Sequence, residues 1–231
     1  MNSNAQLIAD LTLARDTKQV LELLVTYKGL PVITRCRVTS VELGQVTLVT
    51  SDPGLVCLDQ GEKVTILGSD YFEPATAVVQ RKNLKEKTVV LSDLNYLGTR
   101  LGERMIVRVE PKDPLPVLIE LEEGNIEGTM VDLSLNGMGI RIDRRQYSPA
   151  LKPGISLRLE FELPEGPVIL VGTLLSTVKI GYQHRISVRF TQSEAYKATI
   201  FRYLVDRRSQ IERELQADYE QALARQDQPL P

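Results

Sequence analysis

The chain has 231 residues, of which 42% are hydrophobic and 25% are charged, with 28 Lys and Arg against 30 Asp and Glu. This composition is typical of a globular protein with one large domain or two domains of ordinary size. The net charge of −2 argues against bulk attraction to nucleic acid or to an anionic membrane. An anionic ligand would therefore need a local cluster of basic residues.

The N-terminal segment MNSNAQLIADLTLARD has neither the basic start nor the uninterrupted apolar core of a secretory signal. Charged residues also interrupt every later hydrophobic run, which argues against a transmembrane segment. The two cysteines, Cys36 and Cys57, are far apart and belong to no CxxC pair. They predict reduced, mostly buried thiols of a cytoplasmic protein, with a single disulfide as the open alternative.

In chain order, the first predicted element is a short helix, TKQVLELLV, capped by Asp16. Short runs rich in Val, Ile and Thr follow it, separated by Gly, Asp, Asn or Pro, and they predict strands. The predicted strands are 30–41, 45–50, 63–68, 75–81 and 88–91, and then 117–122, 126–134, 138–143, 156–162, 168–178 and 185–190.

Strands this short, with turns this frequent, predict a mainly β protein built from two small antiparallel barrels in tandem. A long helix then begins at Ser193, with apolar residues at helical spacing that include Ile200, Leu204 and Ile211. Because this spacing keeps no heptad register, packing against a barrel of the same chain is favoured over a coiled coil. The oligomeric state stays open.

The segment LNYLGTRLGERMIVRVEP separates the two sets of strands. It predicts a domain boundary, with one domain over residues 1–98 and a second over 99–231 that includes the C-terminal helix. The halves also resemble each other, since RVTSVELGQVTLV aligns with MVDLSLNGMGIRI. Two related barrels and two convergent small barrels both account for this similarity.

Two short motifs stand in order on either side of the first strand of the second half. The first is Arg104-Met-Ile-Val-Arg108, and the second is Asp132-Leu-Ser134-Leu-Asn-Gly137. Each motif is common by itself, but their order, separation and β context together resemble the RxxxR and [DN]xSxxG signature of PilZ domains. The resemblance covers roughly residues 99–207. The N-terminal half is similar, more weakly, to the split-barrel-like domain that precedes PilZ in flagellar-brake-type (YcgR-like) proteins.

The resemblance implies that the chain is a receptor for cyclic di-GMP. Arg104 and Arg108 would lie on a flexible segment and close over the nucleotide, while Asp132, Ser134 and Gly137 hold it from beneath. The chemistry of these side chains fits independently. A guanidinium meets the O6 and N7 atoms of guanine, pairs with a phosphate or stacks on a purine. A carboxylate accepts the N–H donors of guanine, and a glycine lets the backbone come close to the ligand.

Because the arginine segment also joins the two halves, ligand binding would change the arrangement of the domains. The resemblance implies an output in motility or biofilm formation through a downstream protein, such as a flagellar motor component. Glu103 precedes the first motif, and its charge favours one bound nucleotide over a stacked pair. Asn136, at a position where glycine is frequent in the family, is expected to be tolerated because asparagine also adopts positive φ.

Three further arginines are weaker candidates for the site. Arg100 could act as a third cation or be ordinary surface charge, and Arg141 and Arg144 could face the phosphates. Each main residue also has a purely structural interpretation. The arginine pair could be a solvated lead into a strand, the Asp and Ser could cap a turn, and the glycine could serve a turn with positive φ.

Other functions have less support in the sequence. The chain has no Walker loop, no GxSxG motif and no cluster of metal ligands, so we expect neither catalysis nor a metal or cofactor. His184, the only histidine, is interpreted as a structural or surface residue. Few aromatics and an acidic balance argue against nucleic acid as a partner. The main alternative is a PilZ-fold adaptor that binds proteins without nucleotide.

Overall fold

The computed structural model describes residues 3–42, 44–68, 72–97, 107–121, 124–191 and 194–226. The chain divides into two compact units. The first unit comprises Met1–Tyr27, Pro31–Glu103 and Glu212–Pro231, and the second comprises Lys28–Leu30 and Arg104–Ile211.

Six strands of the first unit close into an antiparallel barrel. In chain order they are β1 (Val20–Tyr27), β2 (Leu30–Glu42), β3 (Gln45–Val49), β4 (Lys63–Leu67), β5 (Ala75–Asn83) and β6 (Thr88–Tyr96). A short 3₁₀ helix, Pro53–Cys57, lies between β3 and β4. Around the barrel the strands follow the order β1-β2-β3-β6-β5-β4. Alternate residues of each strand fill the interior, as Leu21, Leu23 and Val25 do in β1.

The second unit contains another closed antiparallel barrel of six strands. They are β7 (Pro116–Leu121), β8 (Gly124–Ser134), β9 (Gly137–Asp143), β10 (Ser156–Leu163), β11 (Gly166–Ile180) and β12 (Gln183–Phe190). Their order around the barrel is β7-β8-β9-β12-β11-β10, so each strand has a counterpart in the first barrel. The predicted fold class of two tandem antiparallel barrels is confirmed.

The N-terminal helix prediction was wrong in its position. Residues Ser3–Asp16 form helix α1, and the segment predicted as a helix is strand β1. Asp16 therefore ends a helix instead of capping the start of one. The chain leaves α1 through Lys18 at a φ of 55°, where the N–H of Gln19 bonds the carbonyl of Ala14 at 2.9 Å. This is a Schellman-type ending with lysine at the position that glycine usually occupies.

The long C-terminal helix is present as α2 (Glu194–Gln226). Its predicted apolar positions Ile200, Leu204 and Ile211 are buried. Residues up to Ile211 belong to the second unit, whereas those from Glu212 onward belong to the first, where Tyr219 joins the hydrophobic core. None of the helices formed by the described residues has the length and apolar character needed to span a lipid bilayer.

Both cysteines are free and buried in the first unit, as the sequence predicts. Burial raises the pKa of Cys36 to about 12, and Asp52 and Glu22 add to this effect. Burial also raises the pKa of Cys57 to about 12, against an opposing influence of Lys82. Neither side chain is a thiolate at neutral pH, so neither is suited to act as a nucleophile.

Candidate functional site

A β-bulge in β8 decides which side chains reach the outer surface of the second barrel. Ile126 and Met130 point inward and are buried. The pairing with β9 then shifts by one residue between Met130 and Asp132. Because side chains alternate along a strand, this extra residue moves Leu133 into the core and places Asp132 and Ser134 on the outer face.

The chain before β7 places Arg108 beside this face. Val109 and Leu133 exchange two backbone hydrogen bonds, each 2.9 Å long, and Val109 is fully buried. Arg207 of α2, itself buried, donates from Nε to the carbonyl oxygen of Glu110 at 2.8 Å. The backbone that follows Arg108 is therefore held at two successive residues, and the Arg108 side chain lies against the surface of β8.

Asp132 is held between two arginines. Its Oδ1 accepts a hydrogen bond from Arg108 Nη1 at 3.0 Å, and its Oδ2 accepts one from Arg185 Nη2. The Asp132 side chain is only 8% exposed, whereas those of Arg108 and Arg185 are 44% and 42% exposed. A carboxylate this buried is costly unless it is paired, and here each oxygen has its own cation.

Glycines in β9 form the floor of the same surface. A Cβ on Gly137 would lie 2.3 Å from the carbonyl oxygen of Val188, so only glycine fits there. A Cβ on Gly139 would lie 2.8 Å from Oδ2 of Asp132. Neither glycine has a positive φ, so close approach explains them and turn geometry does not. Asn136 has no positive φ either, so the expectation that it adopts one was wrong.

Ser134 closes the hairpin between β8 and β9. It pairs with Gly137 across the ladder, and its Oγ donates to the Gly137 carbonyl oxygen at 2.9 Å. The side chain is almost completely buried. Its proton is thus used within the hairpin, which leaves the hydroxyl oxygen only as an acceptor.

Arg108, Ser134 and Gly137 border a depression of about 390 Å³ on the second barrel. One apolar wall is Leu175, which is 43% exposed because a bulge in β11 lies between Leu174 and Ser176. The depression is lined by Arg108, Ser134, Asn136, Gly137, Leu175, Val188, Arg189 and Phe190. The depression therefore combines cationic, hydroxyl and apolar groups around Gly137.

Residues 100–206 match the family model of the PilZ domain. This part of the chain is a PilZ domain. The matched residues include all strands of the second barrel, the arginine segment and the first part of α2.

The similarity of this chain to known proteins extends beyond its PilZ domain. A protein of Aquifex aeolicus (strain VF5), described as uncharacterized, is 27% identical over 159 residues, which cover 68% of this chain and 74% of that protein. The structure of the K. pneumonia MrkH–c-di-GMP complex has a TM-score of 0.50 and 15% identity, covering 93% of this chain and 98% of that chain. YcgR from Escherichia coli in complex with c-di-GMP gives a TM-score of 0.46 and 16% identity, covering 95% of each chain. The MrkH likeness shows a shared two-barrel fold.

The PilZ domain brings together four of the five main candidates. They are Arg108, Asp132, Ser134 and Gly137. Arg108 is hydrogen-bonded to Asp132, and Ser134, two residues after Asp132 on β8, is hydrogen-bonded to Gly137. Arg104 lies outside the described residues, as do Arg100 and Glu103.

The two remaining candidates lie away from the depression. Arg141 pairs with Thr129 and borders a different depression of about 290 Å³ that also includes Glu127. Arg144 is exposed in the turn after β9, seven residues from Gly137, or roughly 20 Å along an extended chain. Neither lines the depression that contains Arg108.

Arg185 is a residue of this cluster that the sequence analysis missed. It lies on β12, which pairs with β9 and not directly with β8. The alternation in the β12 sequence, with Ile186 and Val188 buried, shows that Arg185 faces outward. Arg185 reaches Asp132 only because β12 lies beside β9 in the barrel. The sequence of one strand does not show which strands become its neighbours.

The first barrel repeats the architecture without the ion-paired aspartate. Its β2–β3 hairpin has a bulge between Val38 and Ser40, at the place where β8 has its own. This register puts Ser40 and Glu42 at the positions of Asp132 and Ser134, one residue later than alignment of the two sequences indicates. Ser40 donates to the hydroxyl of a threonine on β3 at 3.4 Å, in place of an ion pair. The acidic and hydroxyl groups thus stand in the opposite order, with a serine where the second barrel has the ion-paired Asp132.

His184 has a structural contact. Its ring stacks on Tyr147 with centroids 3.8 Å apart and an interplanar angle of 16°. The described residues contain no group of three His, Cys, Asp or Glu side chains placed to hold a metal ion.

We predict that Gly137→Ala destabilises the protein more than Gly139→Ala does. The Gly137 substitution meets a backbone carbonyl that cannot move without breaking the β9–β12 ladder, so we expect a loss of about 1–3 kcal/mol in unfolding free energy. The Gly139 substitution meets the end of the Asp132 side chain and no backbone atom, so a small shift of that side chain relieves the contact. Urea denaturation of both variants measures the difference, and wild-type stability of Gly137→Ala would contradict this account.

Proposed function

We propose that the PilZ domain binds cyclic di-GMP and that the protein is a receptor for this second messenger. The observation that carries the proposal is the convergence of Arg108, Ser134 and Gly137 at one depression, with Asp132 hydrogen-bonded to Arg108 beside it. These are residues of both family motifs, brought together by the bulge in β8 and the bridge at Val109. Arg104, four residues before Arg108, completes the proposed site.

The geometry suggests a division of roles among these residues. Arg108 is almost half exposed, so its guanidinium can turn toward a guanine edge or a phosphate while it stays near Asp132. The buried Asp132 carboxylate has little exposed surface of its own. It therefore acts chiefly by holding the arginines, and it accepts a guanine N–H only where Arg108 moves aside.

The known structures are consistent with this ligand. The MrkH structure that shares the two-barrel fold is a complex with c-di-GMP. The depression suits a ligand with two planar bases and two phosphodiesters, because it has no side chain at Gly137, an apolar side at Leu175 and cations beside them. The proposed activity is therefore ligand binding and not catalysis.

We predict that Arg104→Ala, Arg108→Ala and Asp132→Ala each weaken binding of cyclic di-GMP by tenfold to a hundredfold. Each change removes a charge-assisted hydrogen bond or the group that orients one, worth about 1.5–3 kcal/mol. Isothermal titration of the full chain measures the affinities. Arg158→Ala is the control, because Arg158, on β10, pairs with Glu120 of β7 and does not line the depression. Wild-type protein that releases no heat and gains no thermal stability at saturating ligand would remove the proposal.

We further propose that the ligand changes the arrangement of the two domains. The proposed ligand residues Arg104 and Arg108 belong to the stretch of chain between the strands of the two barrels. Closure of this stretch over a nucleotide would set the path of the chain between the two barrels. A downstream protein, such as a flagellar motor component, would read that change to regulate motility or biofilm formation.

Solution scattering with and without cyclic di-GMP tests the change in domain arrangement. We expect the profile of the wild-type chain to shift when the ligand saturates it, whereas Arg108→Ala should keep its ligand-free profile at the same concentration. If the wild-type profiles are identical at confirmed saturation, the mechanism is wrong although the binding proposal stands.

The nucleotide-independent adaptor remains a second candidate function for the first barrel alone. Its equivalent surface carries Ser40 and Glu42 where the PilZ domain carries Asp132 and Ser134. A fold that keeps its shape and bulge without the cationic cluster suits contact with a protein better than with a dinucleotide.

A further inference from the structure

Strand β12 presents two arginines on the outer face that contains the proposed site. Arg185 and Arg189 alternate with the buried Ile186 and Val188, so both point outward. Their Cα atoms are four residues apart, or about 13 Å along a strand. In the ladder Arg189 lies directly opposite Gly137. Neither arginine belongs to the two family motifs.

We infer that β12 completes the nucleotide site, with Arg189 as a ligand of one phosphodiester and Arg185 as a positioning residue for Asp132. This inference rests on the proposed function and deepens it. It assigns a third and a fourth arginine to the recognition of cyclic di-GMP, beyond Arg104 and Arg108.

Arg189 is placed and charged to receive an anion. It is exposed, lines the depression, and forms no side-chain hydrogen bond or ion pair with any of the described residues. Its neighbours in the wall are apolar, as Leu175 and Phe190 show. A guanidinium next to apolar surface is an effective partner for a phosphate, because the local dielectric strengthens the attraction.

The charge of the cluster fits a ligand with two phosphodiesters. Three guanidinium groups and one carboxylate are found among Asp132, the two arginines that contact it and the described residues that line the depression. Their net charge of two positive units equals in size the charge of cyclic di-GMP. Without Arg185 and Arg189, Arg108 and Asp132 would cancel and leave no net attraction among these residues.

Arg185 acts through Asp132. Arg185 and Arg108 use different oxygens of the carboxylate, so Asp132 stays paired when Arg108 turns toward the ligand. The space for this pair is reserved by Gly139, where a Cβ would lie 2.8 Å from Asp132 Oδ2 and 3.3 Å from Arg185 Nη2. The cost of leaving a buried carboxylate unpaired is thereby avoided during binding.

Titration of cyclic di-GMP into Arg189→Gln tests the phosphate contact. We expect affinity about tenfold below wild type with an unchanged melting temperature, and a weaker dependence of affinity on ionic strength, because one charge contact is lost. Arg158→Gln, which makes the same charge change on β10, should stay within about twofold of wild type. Wild-type affinity of Arg189→Gln would overturn its assignment, whereas failure of the wild-type chain to bind would instead overturn the proposed function.

A double-mutant cycle tests the positioning role. Arg185→Gln alone should weaken cyclic di-GMP binding about tenfold, but it should have less than about a twofold effect when Asp132 is already Asn. A residue that only supports the fold would weaken binding equally in both backgrounds, and that result would overturn the role of Arg185. Melting temperatures of all variants establish that the comparison is made between folded proteins.

Discussion

The ion pairs of Asp132 with Arg108 and Arg185 are the interaction on which the surface of the second barrel depends. A carboxylate with so little exposure has to be paired, and the barrel provides one cation from the segment before β7 and another from β12. Three distant parts of the chain therefore meet at one side chain. The pairing holds the guanidinium groups of Arg108 and Arg185 in place while both side chains stay partly exposed.

Several backbone features serve this arrangement. The bulge in β8 turns Asp132 outward. The bridge between Val109 and Leu133 holds the backbone directly after Arg108, and Gly139 leaves room for the ion pair of Asp132 with Arg185. The first barrel has the same strand order and the same bulge, yet Ser40 occupies the position of Asp132. The bulge is therefore part of the architecture of both barrels, and the ion-paired carboxylate at this position is specific to the second.

Most strands could be predicted from sequence because Val, Ile and Thr runs with clear turn residues have a period that only a strand satisfies. The N-terminal region could not be assigned correctly, because α1 ends at Lys18 where glycine is usual, and Asp16 resembles a helix cap. The motif residues were recognisable from their spacing. Arg185 and Arg189 were not, since their place beside the site depends on β12 pairing with β9 across a long stretch of sequence.

The side-chain Nε–Hε resonances of the arginines, followed while cyclic di-GMP is added to the full chain, test the account most directly. If the nucleotide binds at this surface, the resonances of Arg108, Arg185 and Arg189 move together and saturate at one ligand concentration. The resonance of Arg158, on β10 outside the depression, stays in place. Saturating ligand that leaves all three resonances unmoved, or that moves only arginines elsewhere, would contradict the assignment of the site.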